Sequence, residues 1–113
     1  MNNIHPETID LIVTSPPYPM IEMWDNFFTE QNQEIEKAIK SNNVGLAYEL
    51  MHKELDQIWD ECYRILKQGG IACINIGDAT RTINNNFALY PNHARILSHM
   101  LKTGFSADPR EFD

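Results

Sequence analysis

An α/β fold with a parallel βαβα unit of two to three strands is what this sequence predicts, and three observations carry that reading. Residues 9–14 and 71–76 are short, β-branched and almost continuously apolar, the pattern of strands buried on both faces of a parallel sheet. From about Gly45 to Lys67, Ala47, Leu50, Met51, Leu55, Ile58, Trp59, Cys62, Ile65 and Leu66 recur at three- and four-residue steps, which predicts one amphipathic helix. Strands alternating with helices fold as right-handed βαβ units.

In chain order, the first run ends abruptly at Ser15-Pro16-Pro17-Tyr18, because two adjacent prolines remove two donors and stop either ladder or helix. An apolar and aromatic loop over residues 19–24 leads to Phe27-Phe28, and residues 30–41 read as a short polar helix ending at Asn42-Asn43. The long helix should stop at Gly69-Gly70, one glycine suiting the left-handed position past a helix end. The second strand closes at Gly77-Asp78, and a polar loop centred on Asn84-Asn85-Asn86 follows. Pro91 opens a further helix through Ala94, Leu97, Met100 and Leu101, which Gly104 stops, and Phe105 points into an incipient strand.

At 113 residues the chain is one domain at most. Two or three parallel strands are few for a covered sheet, so residues 1–113 are expected to form a single partial domain, a piece of a larger α/β fold. No apolar run is long enough to span a bilayer, and Met1-Asn2-Asn3 opens no signal peptide, so a cytoplasmic protein without a membrane partner is expected. Cys62 and Cys73 lack metal or redox spacing and are expected to be buried reduced thiols. His5, His52, His93 and His99 are not paired at ligand spacing, and no metal is assigned. A formal charge of −7 excludes nucleic-acid binding by electrostatics alone.

In parallel sheets, ligands bind beyond the carboxyl ends of the strands, where both Ser15-Pro16-Pro17-Tyr18 and Gly77-Asp78 are expected to lie. Two prolines freeze a short backbone with its carbonyl oxygens pre-aimed, Ser15 adds a hydroxyl acceptor, and Tyr18 adds a flat aromatic face. Fixed acceptors beside an aromatic platform suit a planar molecule that bears an amino group. Asp78 is a candidate for contact with cofactor or substrate, with a capping role as the alternative. Met20, Met23, Trp24 and Phe27 could surround such a ligand or pack within the loop; Trp59 and Tyr63 read as core and rim; Asp10 reads as a solvated strand end.

Asp10-Leu11-Ile12-Val13-Thr14-Ser15-Pro16-Pro17-Tyr18 resembles the catalytic motif of the DNA amino-methyltransferases, which modify an exocyclic amine of cytosine or adenine using S-adenosylmethionine. Leu66-Lys67-Gln68-Gly69-Gly70 leading into Ile76-Gly77-Asp78 is similar to the next helix–strand unit of that family, and Tyr90-Pro91-Asn92-His93 through Gly104-Phe105 to the helix after it. The resemblance covers nearly the whole chain. It implies a partial Rossmann-like methyltransferase fold, DNA as substrate and S-adenosylmethionine as cofactor. It also implies that Ser15 and the Pro16 carbonyl accept hydrogen bonds from the target amine, that Pro17 holds their geometry, and that Tyr18 stacks on the flipped base. The amine then attacks the sulfonium methyl and loses its proton during or after transfer. The serine form is most typical of cytosine-N4 enzymes of restriction–modification systems.

The chain departs from the family in one respect. The family's Phe-x-Gly-x-Gly cofactor loop is absent, since the five glycines are Gly45, Gly69, Gly70, Gly77 and Gly104. The cofactor-binding residues are therefore left unassigned apart from Asp78, and a basic target-recognition segment is missing too. A circularly permuted class of the family, with its catalytic motif first, would have a front portion like this. The expected state is a catalytic portion inactive alone, seeking its missing half or a second copy. A methyltransferase for RNA or protein amines, and a non-enzymatic remnant or subunit completed in trans, are the alternative classes.

Overall fold

A computed structural model describes residues 4–107. Strand β1 (Ile9–Thr14) leads through a 3-10 turn (Glu22–Trp24) into helices α1 (Asp25–Gln31), α2 (Gln33–Lys40) and α3 (Val44–Ile65). Strand β2 (Leu66–Ile74), a hairpin of β3 (Ala79–Ile83) and β4 (Asn86–Tyr90), and helix α4 (Asn92–Thr103) complete the order. Strands β1 and β2 pair in parallel, with Leu11 opposite Ile71, Ile12 opposite Ala72, Val13 opposite Cys73 and Thr14 opposite Ile74. The α/β class, the parallel pair and the helical crossover follow the sequence. Among the described residues no helix is long and apolar enough to cross a membrane.

Side chains alternate across a strand, so each register pair above falls on one face of the ribbon. Ile12, Ala72 and Ile74 pack onto the core, which centres on Phe28, Ile35, Met51, Leu55, Trp59 and Cys62 from the first three helices and on Ile96 and Met100 from α4. The other face is open: Leu11 is 57% exposed, Val13 72% and Ile71 51%. The strands are thus covered on one side only among the described residues, which corrects the expectation of burial on both. Cys73 shares the open face and is exposed, against the expectation of burial, while Cys62 is buried; both are free thiols.

Three element boundaries also differ from expectation. Helix α3 ends at Ile65, and β2 begins at once with Leu66, so Gly69-Gly70 lies inside the strand rather than capping the helix. There the register jumps, Ile9 facing Leu66 while Leu11 faces Ile71, so the β2 segment between these pairs is longer than its β1 counterpart. Gly69 takes φ +83° in this bulge, and a Cβ on Gly70 would stand 2.9 Å from the Lys67 carbonyl oxygen. The asparagine-rich loop is an antiparallel hairpin, in which Asn84 (φ 51°) and Asn85 (φ 66°) make a two-residue turn between five-residue strands. The polar helix expected over residues 30–41 is α2, which starts after Asn32, whose side chain accepts from the Glu34 amide at 3.0 Å, and a separate helix, α1, precedes it around Phe27-Phe28, where no helix was expected. Phe105 begins no strand within residues 105–107, and the continuation of that expectation lies outside the described residues.

Candidate functional site

The two chain reversals at the carboxyl ends of β1 and β2 meet. Residues 15–18 leave β1, and Gly77 leaves β2 close enough that a Cβ on it would touch the Tyr18 ring at 3.6 Å. Ser15 is exposed, Pro16 is buried, and Pro17 and Tyr18 are half-buried. The structure therefore brings Ser15, Pro16, Pro17 and Tyr18 to one strand end, beside Gly77-Asp78, as the sequence predicts.

Fixed backbone flanks the motif on both sides. Upstream, the Thr14 carbonyl accepts from the Asn75 amide at 2.9 Å, the last rung between the strands. Downstream, the Tyr18 carbonyl accepts from Ile21 at 3.3 Å, and the Met20 amide donates to the Met51 sulfur at 3.4 Å. Met20 itself is fully buried with φ 68°, so it anchors the loop in the core instead of facing a ligand. Between these anchors, the Ser15 hydroxyl and the Pro16 carbonyl accept no hydrogen bond from the described residues. Two prolines supply no donors to compete for them. What remains is a pair of rigidly held acceptors next to a phenol ring.

The anchoring of both loops converges on Asn92, the first residue of α4, which is fully buried. Its Nδ2 donates to the Pro19 carbonyl at 2.9 Å and, more loosely, to the Gly77 carbonyl at 3.4 Å. Its Oδ1 lies 2.8 Å from His52 Nε2 on α3. Because the amide nitrogen faces two carbonyl oxygens, the oxygen must face the imidazole, and His52 carries its proton on Nε2 and donates it. His52 is fully buried, and its Nδ1 has no hydrogen-bond partner among the described residues. Burial holds its pKa down at about 4; the Arg95 charge also lowers it, while the Asn92 bond and the Asp56 and Glu49 carboxylates oppose the shift.

Asp78 Oδ1 accepts from the His93 amide at 3.0 Å, the capping arrangement for the first turn of α4. Tyr48 adds a third tie, donating to the Pro91 carbonyl at 3.1 Å. Of the other aromatic and charged residues near the motif, Met23 is exposed, and Asp25 is held in a two-pronged pair with Arg81 of the hairpin (2.8 and 2.7 Å). Trp59 is core, and Tyr63 is a rim residue against Phe105. The roles of Asn92 and His52 escaped the sequence reading. A histidine on the apolar stripe beside Met51 and an asparagine at the start of a helix were the available signals, and neither names its partner.

The five glycines of the chain form no Phe-x-Gly-x-Gly loop, and a cavity of about 300 Å³ lies between β2 and α4, lined by Ile74, Ile76, His93 and Ile96 among others. Three or more His, Cys, Asp or Glu side chains do not group as a metal site among the described residues.

A family described as DNA methylase matches residues 9–108. The Type II methyltransferase M.MjaI of Methanocaldococcus jannaschii is 48% identical across 96% of this chain, and M.MthZI of Methanothermobacter thermautotrophicus 46% identical across 96%. The chain spans 40% and 31% of the length of those two relatives. Among solved structures, TTHA0409 of Thermus thermophilus, described as a putative DNA modification methylase, superposes with a TM-score of 0.64 at 28% identity, covering 93% of this chain and 36% of that one. The same protein complexed with S-adenosyl-L-methionine gives 0.65 at 29% identity.

Proposed function

The chain belongs to the DNA methylase family, and on that premise we propose that residues 1–113 are the catalytic-motif portion of a site-specific DNA amino-methyltransferase. The target is the exocyclic amine of a base turned out of the duplex. Extrusion costs a few kcal/mol, because that amine is otherwise paired. Stacking on Tyr18, worth roughly 1–3 kcal/mol, offsets much of that cost. Ser15 Oγ and the Pro16 carbonyl accept hydrogen bonds from the two amine N–H groups, which directs the nitrogen lone pair outward from the motif. Pro17 keeps the acceptors in place, so orientation and electrostatic complementarity carry the rate rather than a strong base.

The observation that carries this reading is the pair of unpartnered acceptors held between fixed anchors beside an aromatic ring. Serine at the first motif position favours cytosine N4 over adenine N6. S-adenosylmethionine is the methyl donor that the family implies. The sequence has no Phe-x-Gly-x-Gly loop and no basic segment, so the portion that completes the cofactor site and the basic surface that grips DNA are assigned to the rest of the complete enzyme.

The test is transfer of labelled methyl groups to duplex DNA by the complete enzyme, followed by nucleoside analysis. N4-methylcytosine is the expected product, and Ser15→Ala should lower kcat by about 10²-fold, as loss of one preorganised polar group at a reacting centre does. In calorimetry the 113-residue chain alone should bind S-adenosylmethionine weakly or undetectably. Modification confined to RNA or protein, or an S15A enzyme as fast as the parent, would overturn the proposal.

A further inference from the structure

We propose that Asn92, oriented by His52, is a positioning residue that sets the separation of the two loops at the carboxyl ends of β1 and β2, and with it the aim of the Ser15 and Pro16 acceptors. The proposal rests on the functional reading above, and on a geometry that stands independently of it. One carboxamide bridges two loops that are remote in sequence, touching Pro19 across 73 positions and Gly77 across 15. Both its amide protons point at backbone oxygens, so outward movement of the Pro19 loop breaks a buried hydrogen bond and that of the Gly77 loop a longer, part-buried one.

A carboxamide by itself could turn over and present its oxygen to those carbonyls. That would set oxygen against oxygen at both carbonyls, and the contact of the Asn92 oxygen with His52 Nε2 at 2.8 Å adds to the preference for the observed orientation. The imidazole is in turn wedged edge-on against Tyr48, with ring centroids 4.7 Å apart, and Tyr48 grips the Pro91 carbonyl, one residue from Asn92. Helix α3 therefore fixes the start of α4, and that start fixes both loops. The motif's own residues make no bond to Asn92, so its action on the amine is indirect.

Three variants of the complete enzyme separate positioning from mere folding. Asn92→Asp turns two donors into acceptors facing the Pro19 and Gly77 carbonyls. His52→Leu leaves the Asn92 oxygen without a donor in a dry site. His52→Gln restores a donor near the Nε2 position. If the clamp acts as described, N92D lowers kcat about 10²-fold, the scale of a misplacement of about 1 Å, with KM for DNA little changed. H52L should lower kcat about 10-fold, and H52Q should return it to near the parent value.

Crystal structures of the same proteins give a readout independent of turnover: the Pro19 and Gly77 carbonyls part in N92D and stay together in H52Q. Loops that stay in place in N92D, or activities that fall only in proportion to the folded fraction, overturn the clamp. If the parent enzyme transfers no methyl group, the functional reading fails, and loop displacement in N92D alone then decides for or against the clamp.

Discussion

At the residue scale, His52 is a buried group tied through Asn92 to the loops that flank the candidate motif. Its native pKa of about 4 lies below the ordinary value of 6.5, chiefly through burial. Well above pH 6.5 the imidazole is neutral in both folded and unfolded chains and leaves stability independent of pH. As pH falls from about 6.5 to 4 the unfolded chain gains a proton that the native state refuses, so stability drops through that window and levels off below it. The full shift corresponds to about 3 kcal/mol. Urea unfolding at about pH 7 and about pH 4.5 should show the midpoint falling, and H52Q should remove most of the His52 share of that fall; an unaltered pH slope in H52Q would refute the assignment. Ser15, Pro16, Pro17 and Tyr18 could be named as candidates from the sequence because their pattern is local: four consecutive residues state both the rigidity and the acceptors. His52 and Asn92 could not, because their meaning lies in a contact across 40 positions that only the packed helices create.

Elements were legible where one periodicity governed a whole segment, as in α3, whose stripe Ala47, Met51, Leu55, Trp59 and Cys62 is buried. Gly104 is a case where the sequence signal and the structure agree: it caps α4 at φ 134°, and a Cβ there would meet the Tyr63 hydroxyl at 2.5 Å. Gly104→Ala should therefore cost roughly 2–3 kcal/mol, from an unfavourable backbone conformation plus steric overlap, and lower Tm by roughly 10 °C in a thermal melt. An unchanged Tm would show that the rim around Tyr63 and Phe105 yields freely. Gly69-Gly70 carried the same signal to a different end. Glycine announces an unusual φ without saying whether a helix cap or a bulge needs it, and here the close approach to β1 decided for the bulge. The hairpin was missed for a related reason. Three consecutive asparagines read as loop, yet Asn84 and Asn85 at positive φ are what a two-residue turn requires, and Arg81 then locks β3 to α1 through Asp25.

For the whole molecule, the asymmetry of the sheet has the largest consequence. Continuous apolar character in both strand runs predicted cover on both faces, and the described residues cover only one. Leu11, Val13 and Ile71 form a contiguous apolar strip, and in a sheet of two strands each strand also has an unpaired edge. The solved neighbour is matched over only 36% of its length, so cover from further chain is consistent with the fold it shares. In the isolated chain that strip and those edges meet water, and the expected result is self-association: sedimentation should give a weight-average mass above the 13.1 kDa monomer, rising with concentration. Val13→Lys combined with Ile71→Lys places two like charges on neighbouring positions of the open face, away from the core side of the ribbon. That double variant should sediment as a monomer while keeping its helical content by circular dichroism. A parent chain that stays monomeric across the same concentrations would mean the strip is satisfied by water alone, and that the sheet's apolar pattern serves no second surface.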